Sequence, residues 1–375
     1  MKLSGKGVKR VGAWLGLLAL LAAGGIWSVR AADPDDDIRI ASHAGVDGEA
    51  LRGAADALFD GDEDVGHTRA LIVMHRGEVV AERYAAGFGP GTKLLSWSIG
   101  KSVTAVLVGL MVADGRLALD APAPVTAWGQ PGDPRGKITL RQLLSMTSGL
   151  DHAEEGDPIA SGDTVRMLFT DGARDMSAFA ESKPLAHAPG STFSYSTGST
   201  LILADLMTRM LTSSSDPDVR RRAMQTFIDG RLKIPGGMKS LTVEYDAAGT
   251  MIGGSFMHMT ARDYARFGEL LRREGRGPSG HQIVPEKWVG FMRRPSRRNP
   301  AYGAHLWLNR DSEDTPLMLG DAPQSLFGCV GHNGQYVLVS PAQELTLVRI
   351  GMSPEKEQRA ALKRGLAKLI ALFPR

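Results

Sequence analysis

The run SWSIGKSVTAVLVGLM, residues 96–111, limits what this chain can fold into more than any other stretch. From Val103 onward nearly every position is apolar, and a helix apolar all round has to be enclosed on every side, so the chain must pack layers around it. Its first turn nevertheless carries Ser98 and Lys101. Residues three apart on a helix point the same way, which predicts a hydroxyl and an amine within reach of each other, a nucleophile beside a base. With 26 serines and 13 lysines in 375 residues, Ser-x-x-Lys is expected roughly once by chance, and two copies occur. The second, Ser353 to Lys356, has Pro354 after the serine and opens a charged stretch, so Ser353 reads as a helix cap. Around Ser98 the context differs, because Gly100 allows another backbone to come close.

Charge separates the chain into two parts. Residues 1–31 hold five basic and no acidic side chains, with none charged from Val11 to Val29, the pattern of a signal peptide or an uncleaved signal anchor. The expectation is export to the periplasm or beyond, with cleavage near Ala32; a membrane partner is implied only if residues 11–29 stay attached. Removing those five charges from the formal +3 leaves −2, and no basic patch calls for nucleic acid. Cys329 is the one cysteine, which excludes an internal disulfide and reads as a small buried hydrophobe. Nine scattered histidines show no ligand spacing, so neither a metal nor a cofactor is expected. Nothing in the pattern fixes an oligomeric state.

Residues 70–88 alternate and turn at Arg76-Gly77, predicting a β-hairpin, and the Ser98 helix is expected to stop near Gly115. Helical patterns then dominate to about Met251, separated by loops rich in Asp, Gly and Pro. Strand character returns in YGAHLWLN, residues 302–309, and in a second hairpin turning near Pro341, before a closing helix. These blocks place an α/β (α+β) domain over residues 38–375, built from about 38–120 and 252–375 around a helical insertion at about 121–251.

Five segments in order, SWSIGKSVTAVLVGLMVADGRLALDAP, ITLRQLLSMTSGL, PGSTFSYSTGSTLILADLM, GGSFMHMTARDYARFGELL and GHNGQYVLVSP, resemble the serial motifs of the serine β-lactamase and penicillin-binding-protein superfamily. Within it the chain is most similar to the class C β-lactamase-related hydrolases, the branch of 6-aminohexanoate-dimer hydrolases and esterases. The resemblance implies a central antiparallel sheet flanked by helices, with a helical domain inserted, and a site in the groove between them. It assigns Ser98 as nucleophile, Lys101 and Tyr195 as sharers of its proton without saying which is the base, and the backbone N–H groups of Ser98 and Gln335 as an oxyanion hole. Thr197 stands where the family usually has asparagine, and His332-Asn333-Gly334 where it has Lys-Thr-Gly on an edge strand; these four positions are implied substrate contacts.

The departures bear on substrate. A threonine lacks the paired donor and acceptor of an amide, and a neutral histidine supplies no fixed positive charge for a carboxylate. A small neutral ester or amide is therefore expected ahead of a D-peptide or β-lactam, with a non-catalytic binding protein as the distant alternative. His152, Glu154, Glu155 and Asp157 read as a solvated face. Trp307 suits either the pocket or the core of the sheet.

Overall fold

The computed structural model describes residues 39–40, 45–59, 62–312, 317, 320 and 322–375, so the expected signal or anchor segment lies outside the described residues. In chain order come β1 (Arg39–Ile40), α1 (Gly48–Asp56), α2 (Asp62–Val65), β2 (His67–His75), β3 (Glu78–Tyr84), β4 (Leu94–Leu95) and α3 (Ile99–Ala113). Then follow α4 (Leu140–Leu144), α5 (Asp163–Phe169), α6 (Met176–Glu181), α7 (Thr197–Leu211), α8 (Pro217–Ile228), β5 (Thr242–Val243), β6 (Met257–Met259), α9 (Ala261–Arg272) and α10 (Glu286–Met292). The chain closes with β7 (Trp307–Leu308), β8 (Phe327–Gly331), β9 (Gln335–Ser340), β10 (Leu345–Met352) and α11 (Lys356–Ala371).

Seven strands form one antiparallel sheet in the order β1-β3-β2-β10-β9-β8-β7, which joins the two ends of the chain through the β2–β10 pair. Because side chains alternate along a strand, this sheet divides two cores. Ile72, Val337, Val339, Val348 and Ile350 face one way, toward α3 and α9. Leu71, Val73, Leu338, Leu345 and Leu347 face the other, toward Leu51 and Leu58 near α1 and Leu362, Leu366 and Leu369 of α11. Burial on both faces explains why β2, β9 and β10 read as nearly unbroken apolar runs.

The predicted hairpins are present: Arg76 (φ +55°) and Gly77 (φ +86°) turn β2 into β3, and β9 and β10 flank a short turn at Pro341–Gln343. The apolar helix α3 is enclosed as expected and ends at Asp114, with Gly115 at φ +70°. Cys329 is buried in β8.

Two expectations change. Only Trp307–Leu308 of residues 302–309 is strand, because His305 takes φ +56° and its N–H and Nδ1 both reach Leu144 O, at 3.2 and 2.8 Å, which bends the backbone away from the sheet. Ser353 is not the cap of α11. That role falls to Glu355, which forms a capping box with Gln358. Ser353 is instead fully buried, its hydroxyl donating to Val65 O at 2.5 Å and accepting from Arg349 Nη2 at 3.1 Å. Ser353→Ala leaves that carbonyl without its donor, so urea denaturation should show a loss of about 1–3 kcal/mol with the site chemistry intact.

Candidate active site

Ser98 occupies the N-cap of α3, where a serine ordinarily bonds a free helix N–H, yet its side chain makes no such bond. The hydroxyl lies 2.9 Å from Lys101 Nζ. Trp97, immediately before it, is held at φ +43°, a left-handed conformation that costs a bulky residue about 1–3 kcal/mol. Ser96 anchors this turn: its N–H donates to Met257 O at 2.8 Å, and its hydroxyl bonds Ser255 O at 3.0 Å and Met257 N–H at 3.2 Å. Gly100 permits the approach expected of it, since a Cβ there would lie 3.0 Å from Gly253 O.

Lys101 is 1% exposed. Its Nζ has three polar neighbours: Ser98 Oγ at 2.9 Å, Thr197 Oγ1 at 2.7 Å and Gly254 O at 3.2 Å. Burial disfavours the ammonium and lowers its pKa to about 8, against an opposing pull from the Glu154 carboxylate. The GGSF segment singled out in the sequence supplies that carbonyl. Its two glycines are required because a Cβ on Gly253 would meet Thr104 Oγ1 at 2.4 Å and one on Gly254 would meet Thr197 Cγ2 at 2.9 Å.

Tyr195 joins from the loop before α7, its ring centroid 4.9 Å from Lys101 Nζ and its hydroxyl in hydrogen-bonding reach of Ser98. Burial, reinforced by Glu154, raises its pKa well above the ordinary phenol value. The ring stacks on Trp307 at 5.6 Å and meets Tyr302 edge-on at 6.0 Å. Trp307, 8% exposed, thus belongs to the core behind the site.

The remaining expected residues fall in unequal places. Thr197 is 1% exposed and stands behind Lys101, not on the substrate side. The cap of α7 is Ser196, whose hydroxyl accepts from Ser199 N–H at 3.1 Å. Asn333 (φ +55°) and Gly334 (φ +83°) make the tight turn between β8 and β9, and Gly334 faces α11: a Cβ on it would meet Leu362 Cδ2 at 2.9 Å. The glycine that lies against the Ser98 turn is Gly331, where a Cβ would sit 2.8 Å from Ser96 O. Gln335 pairs with Gly331 from the neighbouring strand β9. The His332 ring lies 5.3 Å from Trp97, and its pKa is lowered by partial burial and by the charge of Arg359, which outweigh Glu155. Beyond it, Trp97, Phe256 and the exposed Phe169 continue an aromatic wall at 6.0 and 5.7 Å.

The expectation of a solvated face fails for two of its four residues. Glu155 and Asp157 are exposed, but His152 is 7% exposed and Glu154 turns inward. The Glu154 carboxylate accepts from Thr197 Oγ1 at 2.5 Å, Thr197 N–H at 2.6 Å and Thr164 Oγ1 at 2.8 Å, with His152 Nε2 at 3.2 Å. Burial works to raise its pKa, yet the bonds from His152 and Thr197 and the charge of Lys101 bring it down to about 2. Local polarity hid this residue, because the partner that draws it into the site, Thr197, lies 43 residues along the chain. Among the described residues no group of three or more His, Cys, Asp or Glu is arranged to hold a metal ion.

A serine beside a buried lysine at a helix N-terminus lies against the end of β8, which is not the edge strand expected for His332-Asn333-Gly334, since β7 pairs outside it. The Beta-lactamase family model covers residues 65–372. The chain belongs to the beta-lactamase family of serine hydrolases. It is 27% identical over 314 residues to the 6-aminohexanoate-dimer hydrolase of Paenarthrobacter ureafaciens, covering 78% of this chain and 74% of that one. The structure of a candidate 6-aminohexanoate-dimer hydrolase from Bacillus anthracis superposes with a TM-score of 0.68 at 21% identity, covering 92% of this chain and 90% of that one. A family VIII carboxylesterase superposes at 0.61 and 16% identity, covering 90% and 98%. The fold is accordingly β-lactamase/transpeptidase-like, an antiparallel sheet flanked by helices as the sequence implied.

The tight fit at Gly331 gives an expected outcome. Gly331→Val should push the Ser96–Ser98 turn out of place and slow fluorophosphonate labelling of Ser98 by about a hundredfold, followed by intact mass, with far-UV circular dichroism unchanged.

Proposed function

We propose that this protein is an exported Ser-Lys-Tyr hydrolase that cleaves a small neutral ester or amide through an acyl-enzyme on Ser98. The observation that carries the reading is the hydrogen-bond arrangement at Lys101. Gly254 O can only accept, so one amine hydrogen points there. Thr197 donates its own hydroxyl hydrogen to Glu154, so it too accepts from Lys101. A neutral amine has two hydrogens and one lone pair, and with both hydrogens so placed the lone pair is left for Ser98 Oγ–H.

In this reading Lys101 is the base and Tyr195, kept protonated by burial, is the donor to the leaving group. Ser98 Oγ bonds the substrate carbonyl carbon as its proton passes to Lys101. Collapse of the tetrahedral adduct breaks the bond to the alkoxide or amine, which takes the Tyr195 proton, and Tyr195 is reprotonated from Lys101. Water then attacks the Ser98 ester by the same route and releases the acid. The oxyanion is received by Ser98 N–H and, because Gly331 is the residue against the Ser98 turn, by the next amide along, that of His332; Gln335 lies one strand away.

The substrate preference rests on three features. Thr197 has its hydroxyl committed and cannot reach an acyl amide, the His332 ring is held neutral, and the wall of Trp97, Phe256 and Phe169 is apolar. The named activity of the Paenarthrobacter relative puts short linear amides on the same test panel. A β-lactam needs receivers for its amide and carboxylate, each worth about 1–3 kcal/mol. Export is supported by the charge pattern of residues 1–31, and N-terminal sequencing of the secreted protein should read from near Ala32.

The kinetic test compares p-nitrophenyl esters and short amides with nitrocefin on one preparation. Ester or amide turnover should exceed nitrocefin turnover by a factor of a hundred or more, and Ser98→Ala should abolish both turnover and labelling. Efficient nitrocefin hydrolysis with esters and amides untouched would return the protein to the β-lactamases proper. Lys101→Ala and Tyr195→Phe should each cost several orders of magnitude in kcat, with the double variant little worse, because they act as one unit. Since the base must be neutral, activity should rise with pH through a midpoint near 8, the pKa of Lys101.

A further inference from the structure

We propose that Glu154, acting through the Thr197 hydroxyl, is a positioning residue that fixes which side of Lys101 Nζ carries the lone pair. This rests on Lys101 serving as the base for Ser98, as argued above.

A threonine hydroxyl between two partners can donate to only one of them. If the Thr197 hydrogen pointed at Lys101, the amine would have to turn its lone pair toward Thr197 and offer a hydrogen to Ser98, the wrong polarity for taking a proton. Glu154 prevents that. Its Oε1, 2.5 Å from Thr197 Oγ1, takes the hydroxyl hydrogen, and its Oε2 takes the Thr197 N–H at 2.6 Å, so one carboxylate grips one residue twice. Thr164 Oγ1 and His152 Nε2 bond the same Oε2, at 2.8 and 3.2 Å, and hold the carboxylate from behind. The chain Glu154–Thr197–Lys101–Ser98 therefore has one consistent direction of donors.

A carboxylate also acts on the amine through its charge. The titratable groups around Lys101 are Glu154 on the loop after α4, Tyr195 on the loop before α7 and His305 before β7. Those around Glu154 are His152 and Lys101, with Tyr195 and Tyr302 within its field. His305 is held neutral by burial, its Nε2 3.0 Å from Thr200 Oγ1, and Tyr195 and Tyr302 stay protonated. Glu154 is thus the anion that favours the charged form of Lys101, and neutralising it should make the amine easier to deprotonate.

The two effects give opposite signatures, which separates a positioning role from a structural one. The experiment measures the single-turnover rate of Ser98 acylation by p-nitrophenyl acetate against pH, with thermal melting of each variant as a control for folding. Glu154→Gln should move the acidic limb of the profile to lower pH by roughly one unit while lowering the plateau. Thr197→Val, which keeps the shape and removes the hydroxyl, should lower the acylation plateau by about ten- to a hundredfold with KM little changed. Thr197→Ser should recover most of that loss. An unmoved limb in a folded Glu154→Gln, or wild-type acylation by Thr197→Val, overturns the proposal. Should Glu154→Gln fail to fold, the Thr197→Val and Thr197→Ser pair decides alone. Wild-type protein that is not acylated at Ser98 rejects the hydrolase mechanism itself, an outcome distinct from either of these.

Discussion

A buried amine is the constraint from which the rest of this site follows. Lys101 sits in the first turn of a helix that is apolar almost to its end, where an isolated ammonium would be costly. The fold answers by bringing acceptors to it from two distant parts of the chain, Thr197 at the start of α7 and Gly254 in the GGSF turn, with Glu154 one bond further out. These contacts also fix how α3, α7 and the turn before β6 pack together. Chemistry and packing are therefore the same set of bonds, so a site variant in this region acts on both.

The other side of the site is set by rigid backbone. Trp97 is held in a left-handed conformation by the Ser96 bonds, which points Ser98 away from its usual capping role. The opposing turn between β8 and β9 is braced from beneath: Ser353 N–H donates to Asn333 O at 2.8 Å and Arg349 Nη1 to Gly334 O at 2.9 Å. Behind Tyr195 the stacked Trp307 and the edge-on Tyr302 leave the phenol little freedom to swing. Strain and bracing at both edges suit a site that has to be organised before substrate arrives.

Under the neutral-substrate proposal, Thr197 matters for a reason different from the one the sequence suggests. Thr197 was expected to be a weaker substrate contact than asparagine, but it is withdrawn altogether, its hydroxyl placed between Lys101 and Glu154. A fixed cation is not missing from the region, since Arg359 of α11 acts on His332; its Nη1 is bonded to the carbonyls of Ser353 and Pro354.

Periodicity and short spacing encode the enclosed helix α3, the Ser98–Lys101 pair one turn apart, the two hairpins and the closing helix. Each depends on residues close in the chain, whose relative directions are set by the backbone. Tyr195 and the fold class were legible through the order of five motifs. The sequence misplaced Gly334 for Gly331, because a turn glycine and a close-packed glycine look alike until the neighbouring strand is known. It took Glu154 for a solvated side chain and Ser353 for a helix cap, because polar residues in polar surroundings usually are. Tertiary structure alone decided those roles: Glu154 meets Thr197 across 43 residues, Lys101 meets Thr197 across 96 and Gly254 across 153, and Ser353 meets Val65 across 288. A carboxylate becomes part of a site only when folding removes its water and supplies donors in its place, and no local pattern records where those donors will come from.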